Sequence, residues 1–255
     1  MWELHFLWND LPDYNFGWLV LILAAYMIWE RWERTDFGIS EPGSRLSAGL
    51  LFLPGLLFVT VSVLYKWVFA RTPAFSLGIS LGCALILMAM LLGSHGCLGL
   101  RTFIFPILFV FVAVPLPQII WNPVVLSLQN LVSFVNVEAL NLLGIPAVRH
   151  GSVIQLPNCL VGVDEACSGV RSLQSSIMAA LFIGEVMFKS RRLRCMILAF
   201  GVLLAMAGNM VRALFLSWTA FRHGENALDA VHDGAGWGIL AFTTTGLVLG
   251  AWIVG

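Results

Sequence analysis

Charge is what this 255-residue chain has least of. Its 14 Lys and Arg and 14 Asp and Glu make up 11% of the residues against 59% hydrophobic, with a mean hydropathy of +0.90. Soluble domains carry about twice that charge, so a soluble fold is excluded and an integral membrane protein is indicated. The net charge is zero and no basic arm or charge block occurs, which excludes an electrostatic nucleic-acid partner. Cysteine is sparse too. Cys83, Cys97, Cys159, Cys167 and Cys195 are odd in number and form no CxxC pair, so neither a disulfide framework nor a metal site is expected, and nothing calls for a cofactor. The N-terminus MWELHFLWND lacks the basic leader and small-residue cleavage site of a secretory signal. Repeats and low-complexity stretches are absent, and residues 1–255 read as one membrane domain.

What is abundant is apolar sequence in lengths that suit a bilayer, whose core of about 30 Å needs about 20 helical residues. The stretches 15–29, 48–70, 75–92, 102–115, 168–188, 195–221 and 236–254 qualify or nearly do. They predict an all-α, polytopic transmembrane helical bundle of about seven to eight spans. Lys189, Arg191, Arg192 and Arg194 form the densest basic cluster and belong on the cytoplasmic side. Alternation then places Arg31, Arg34, Arg45 and Arg101 inside as well, and Cys167 on the outer face. Residues 121–144 are interrupted by Gln129, Asn130, Asn136, Glu138 and Asn141, which predicts a helix lying in the outer interface. If that helix spans instead, the upstream topology inverts. Residues 147–163 alternate and contain Gly151 and the pair Pro157-Asn158, predicting a small extracytoplasmic β-hairpin.

Against this background the stretch DEACSGVRSL, residues 164–173, is costly: two carboxylates, a thiol and a guanidinium stand at the mouth of an apolar run. A helix starting near Ser168 puts Cys167 at or next to its N-cap, where unpaired N–H groups and the helix dipole favour a thiolate. Arg171, four residues on, then projects from the same helical face. Arg212 lies seventeen residues after Cys195, about 26 Å along a helix, which is near the outer boundary but still within apolar sequence. Arginine there costs several kcal/mol unless paired or hydrated, with snorkelling to the headgroups as the plain alternative. Asn209 shares its face. His232, about one turn before the last span, also belongs at the outer side and can serve as acid or base, with Asp233 as a candidate to orient it. Three helix ends assigned to one leaflet each present one member of a Cys, Arg, His set. Such a set suits thiol acyl transfer: Cys167 attacks a peptide carbonyl, Arg212 stabilises the oxyanion, and His232 activates the thiol and protonates the leaving amine. Cys83, Cys97 and Cys195 are expected as small buried apolar residues, and Cys159 as a passive hairpin residue.

Two other classes of function remain open at this level. Arg171, Arg212 and His232 could line the path of a membrane transporter or channel, although transporter sites tend toward the midplane with broken helices. His223, Asp229, His232 and Asp233 could assist a metal-dependent hydrolysis, but their spacing matches no ligand motif.

Four blocks resemble the exosortase/archaeosortase family of membrane cysteine transpeptidases: WNDLPDYNFGWLV with YMIWER, GSVIQLPN with VDEACSGVRSL, GNMVRALFLS, and VHDGAGW. They follow in the family's order over nearly the whole chain. The resemblance implies Cys167 as nucleophile, Arg212 as the essential arginine and His232 as third member, the last pointing to the bacterial exosortase branch. Relatives often carry Tyr-Ser-His-Gly where this chain has Tyr14-Asn15-Phe16-Gly17, so no role passes to that missing histidine. Many bacterial members also carry a further C-terminal domain, and this chain looks like a minimal one. The implied substrates are secreted proteins with a C-terminal sorting signal: a motif such as Pro-Glu-Pro, a transmembrane helix and a basic tail. They would be cut and passed to an acceptor associated with surface polymer, at the outer face of the bacterial cytoplasmic membrane. Arg171 is a candidate partner for an acidic residue of such a motif, with Glu165 as its alternative partner within the chain.

Overall fold

The computed structural model describes residues 8, 14, 16–37, 43–69, 72–162, 169–224 and 226–255, with the backbone alone at Asn226, Asp229 and Asp233. The chain divides into two compact units, Met1–Ile120 and Trp121–Gly255, and is helical almost throughout. Among the described residues, five helical elements are long and apolar enough to cross a membrane by length and composition. Lipid takes the place of water around them. In α2 (Arg45–Phe69) only Gly55 and Ser62 are buried, while Leu57 and Leu64 are 63% and 61% exposed. Small residues inside and leucine outside is the arrangement of a helix solvated by hydrocarbon.

In the first unit, α1 (Gly17–Arg34) precedes α2. Next comes α3 (Pro73–Phe109), opened by Thr72, whose hydroxyl accepts from the Phe75 N–H, with Pro73 in the first turn. The pattern predicts two spans here, and the structure realises them as two limbs of one element. At Gly96 the backbone takes φ 59°, ψ −154°, a conformation open to glycine. A β-carbon built on Gly99 would lie 3.1 Å from the Leu91 carbonyl oxygen, although eight residues of straight helix span about 12 Å. The chain therefore doubles back, and Ala84 and Met88 share an apolar cluster with Phe103 and Ile107. A 3-10 turn, Val110–Ala113, follows. Trp8 is 1% exposed and donates from Nε1 to the Ala113 carbonyl at 2.7 Å, and a β-carbon on Gly17 would strike its indole. The WNDLPDYNFGW block thus has a packing role in this unit.

The second unit holds α4 (Gln118–Leu142, begun at the junction), three strands, α5 (Val170–Met187), α6 (Arg191–His223) and α7 (Asn226–Val254). The predicted interfacial helix is α4, which is long and apolar enough to span. Gln129, Ser133 and Asn136, three polar residues on one face, are buried inside the unit at 9%, 0% and 1% exposure. Asn130, Glu138 and Asn141 are exposed, so the five polar residues behind the interfacial expectation divide between a buried stripe and an exposed face. The predicted hairpin gains a strand: β1 (Val148–His150), β2 (Val153–Gln155) and β3 (Leu160–Gly162) form an antiparallel sheet in that order. The Pro157-Asn158 corner, closed by Leu156 N–H to the Cys159 carbonyl, is the turn between β2 and β3. Asn158 donates to the Phe221 carbonyl at 2.8 Å, which ties that turn to the end of α6. Beneath the sheet, Ile154, Leu156 and Val161 pack with Val132 and Leu140 of α4 and Ala213 and Ala220 of α6, with Cys159 against them. Cys83, Cys97 and Cys195, expected to be buried, are exposed on their helices; a thiol is apolar enough to face lipid.

Candidate active site

Three helices of the second unit meet around a cavity of about 240 Å³. From α5 come Arg171, Ser172 and Ser175, which share a face at helical spacing. From α6 come Asn209 and Arg212, three residues apart. From α7 come His232 and Gly236, one turn apart, and Trp237. Arg212 donates from Nη2 to His232 Nε2 at 3.1 Å. A β-carbon on Gly236 would lie 3.7 Å from Nη2, in ordinary contact with the guanidinium. Both groups are half-buried, Arg171 is exposed, and Asn209 is 3% exposed.

Gly169 forms the edge of the cavity and also the cap of α5. Its φ of 85° is left-handed, which glycine adopts without steric cost, and a β-carbon would lie 2.4 Å from Asn209 Cγ. Ser172 donates to its carbonyl at 2.9 Å. The helix therefore starts at Val170, not near Ser168. Beside the cap is a cavity with two guanidinium groups.

Among the predicted site residues, Arg171, Asn209, Arg212 and His232 are thus brought together. Cys167 and Glu165 lie outside the described residues, as does the side chain of Asp233. His232 is helical, because α7 starts at Asn226 and not at Gly236 as expected. Asp233 follows it directly, and neighbours in a helix do not face each other. Ser172, Ser175 and Trp237 escaped the sequence reading. The two serines were findable, standing one and four residues after Arg171.

The described lining supplies cations, hydroxyls and an amide but no carboxylate, a surface suited to an anion or a developing negative charge. It does not suit a metal at His232, whose Nε2 lone pair is engaged by a cation. The transmembrane exosortase family model matches residues 8–249, across both compact units. No curated protein and no solved structure matches the chain. A multi-pass helical frame matched from Trp8 almost to its end, with the GNMVRALFLS arginine and the VHDGAGW histidine in contact, leads to one assignment: this chain belongs to the transmembrane exosortase family.

Proposed function

We propose that the chain is a cysteine-dependent protease or transpeptidase. It cleaves secreted proteins at a C-terminal sorting signal (a Pro-Glu-Pro-like motif, a transmembrane helix and a basic tail) and passes them to a surface acceptor. The observation that carries this reading is the 3.1 Å contact between Arg212 and His232, in a cavity whose edge is Gly169. Two peptide units separate Gly169 from Cys167, so the two Cα atoms are within about 7 Å. The thiolate sulfur of Cys167 attacks the scissile carbonyl carbon, and the carbonyl π electrons move onto oxygen. Arg212 faces the resulting oxyanion with fixed charge, which water in an open site cannot match. Collapse breaks the C–N bond, the thiol's proton ends on the leaving amine, and a thioester remains for an acceptor or water.

Depth supports the same reading. Arg212 stands 21 residues after Arg191 in α6, about 32 Å along the helix, and Trp237 at the edge of the site is 72% exposed, as suits a headgroup-level aromatic. A substrate helix held in the bilayer would present its outer end at that level, so the membrane supplies part of the positioning. Localisation is accordingly the bacterial cytoplasmic membrane, with the site at its outer face.

The test is co-expression with a sorting-signal protein, following its processing by mass spectrometry for wild type, Cys167→Ala, Cys167→Ser and Arg212→Ala at equal enzyme levels. All three variants are expected to lose processing, and the product's C-terminal mass separates transfer from hydrolysis. Processing that survives in Cys167→Ala would remove the catalytic assignment.

A further inference from the structure

We propose that His232 is a neutral hydrogen-bond acceptor that positions Arg212, and that it does not carry the thiol's proton. The inference rests on the acyl-transfer reading above and concerns the role of one member of that site.

Its ground is the sense of a single hydrogen bond. Arginine carries five N–H donors and no acceptor, and it does not lose its proton in proteins. The 3.1 Å contact between Arg212 Nη2 and His232 Nε2 therefore runs one way: Nε2 accepts. An imidazole that accepts at Nε2 is neutral and holds its proton on Nδ1. The lone pair a general base at Nε2 would use is thus already directed at a guanidinium. A proton taken up at Nε2 would turn that acceptor into a donor aimed at another donor, and the bond would be lost. Of the charged groups lining this cavity among the described side chains, Arg212 comes from α6 and Arg171 from α5, and both are cations.

The arrangement has a use in the acyl-transfer reaction. Stabilising an oxyanion depends on donors that are oriented before the charge develops, and a long arginine side chain is otherwise free to rotate. On α7, His232 grips one terminal nitrogen, and Gly236, one turn further, lies beside the same guanidinium. That turn of α7 reads as a platform for the guanidinium. His232 is accordingly a positioning residue acting through Arg212.

The experiment uses the full chain in proteoliposomes with a sorting-signal substrate, and compares wild type, His232→Gln, His232→Ala and Cys167→Ala at matched protein amounts. Glutamine offers an acceptor oxygen to Arg212 but takes up no proton. The expected result is that H232Q works within about tenfold of wild type while H232A falls at least a hundredfold. Removing a general base costs on the order of 10²–10⁴-fold whichever residue replaces it, so H232Q as slow as H232A would overturn the proposal. Should H232Q fail to accumulate, His232→Asn takes its place under the same criteria. Activity persisting in Cys167→Ala would instead sink the thiol reading itself, so the two failures are told apart.

Discussion

Asn209 occupies the space in which a β-carbon on Gly169 would lie, with Cγ at 2.4 Å and Nδ2 at 2.5 Å from that point. The first turn of α5 is thereby seated against α6, beside Arg212. A left-handed cap and a tight interhelical contact coincide at one glycine, and the cavity edge is defined by it.

Gly169→Ala must therefore meet both a strained backbone and a clash. Left-handed φ costs about 1–2 kcal/mol for a residue with a side chain, and the overlap with Asn209 adds about 1–3 kcal/mol. The expected outcome is a lowered unfolding temperature in detergent with loss of processing. Adding Asn209→Ala should recover part of the stability, because Cγ and Nδ2 are removed. An unchanged unfolding temperature for the single variant would contradict the contact.

Arg212→Lys keeps the charge but removes the planar fork. If fixed guanidinium geometry stabilises the oxyanion, processing should fall by about 10²-fold or more with membrane levels unchanged. Near-normal processing by the lysine variant would show that a bare positive charge suffices. Quantitative mass spectrometry of cut and uncut substrate measures it.

At the other end of the unit, Glu185 near the end of α5 pairs with Arg194 of α6, which also donates from Nε to the Phe188 carbonyl at 2.7 Å. The glutamate side chain is 7% exposed and the arginine 33%, so the two are not equivalent. Arg194→Ala takes its cation from a buried carboxylate and should cost about 3 kcal/mol. Glu185→Ala leaves an arginine that can turn to solvent, and should cost about 1 kcal/mol. Thermal unfolding of both variants in detergent checks the order, and a reversed order would contradict it.

For α4, the buried stripe of Gln129, Ser133 and Asn136 together with its length predicts a span. Topology reporters inserted at Leu116 and at Val148 should report opposite sides of the membrane. The same side for both would return the helix to the interface.

How far the sequence reaches depends on the distance over which a property is decided. The apolar runs and the turn at Pro157-Asn158 are local sums over a few residues, so they were legible. Which polar residues of α4 are covered was not local: Gln129 and Asn136 are buried while Asn130, Glu138 and Asn141 are exposed, and polarity in one helix does not say what its neighbours will bury. The reversal at Gly96 was hidden for a related reason: glycine permits that conformation anywhere, and only the packing of Ala84 and Met88 with Phe103 and Ile107 makes it pay. That Gly169 caps α5 in contact with Asn209, forty residues away, is likewise decided beyond the local sequence.

The amino-acid sequence alone determined the membrane class, the helical architecture and the four blocks that carry the family, since hydropathy and motif are properties of the chain in order. Tertiary structure alone decided that Arg171, Asn209, Arg212 and His232 line one cavity and that His232 accepts from Arg212. The physical reason is that a hydrogen bond between residues twenty apart on two helices requires both to be rotated and docked before donor and acceptor can meet.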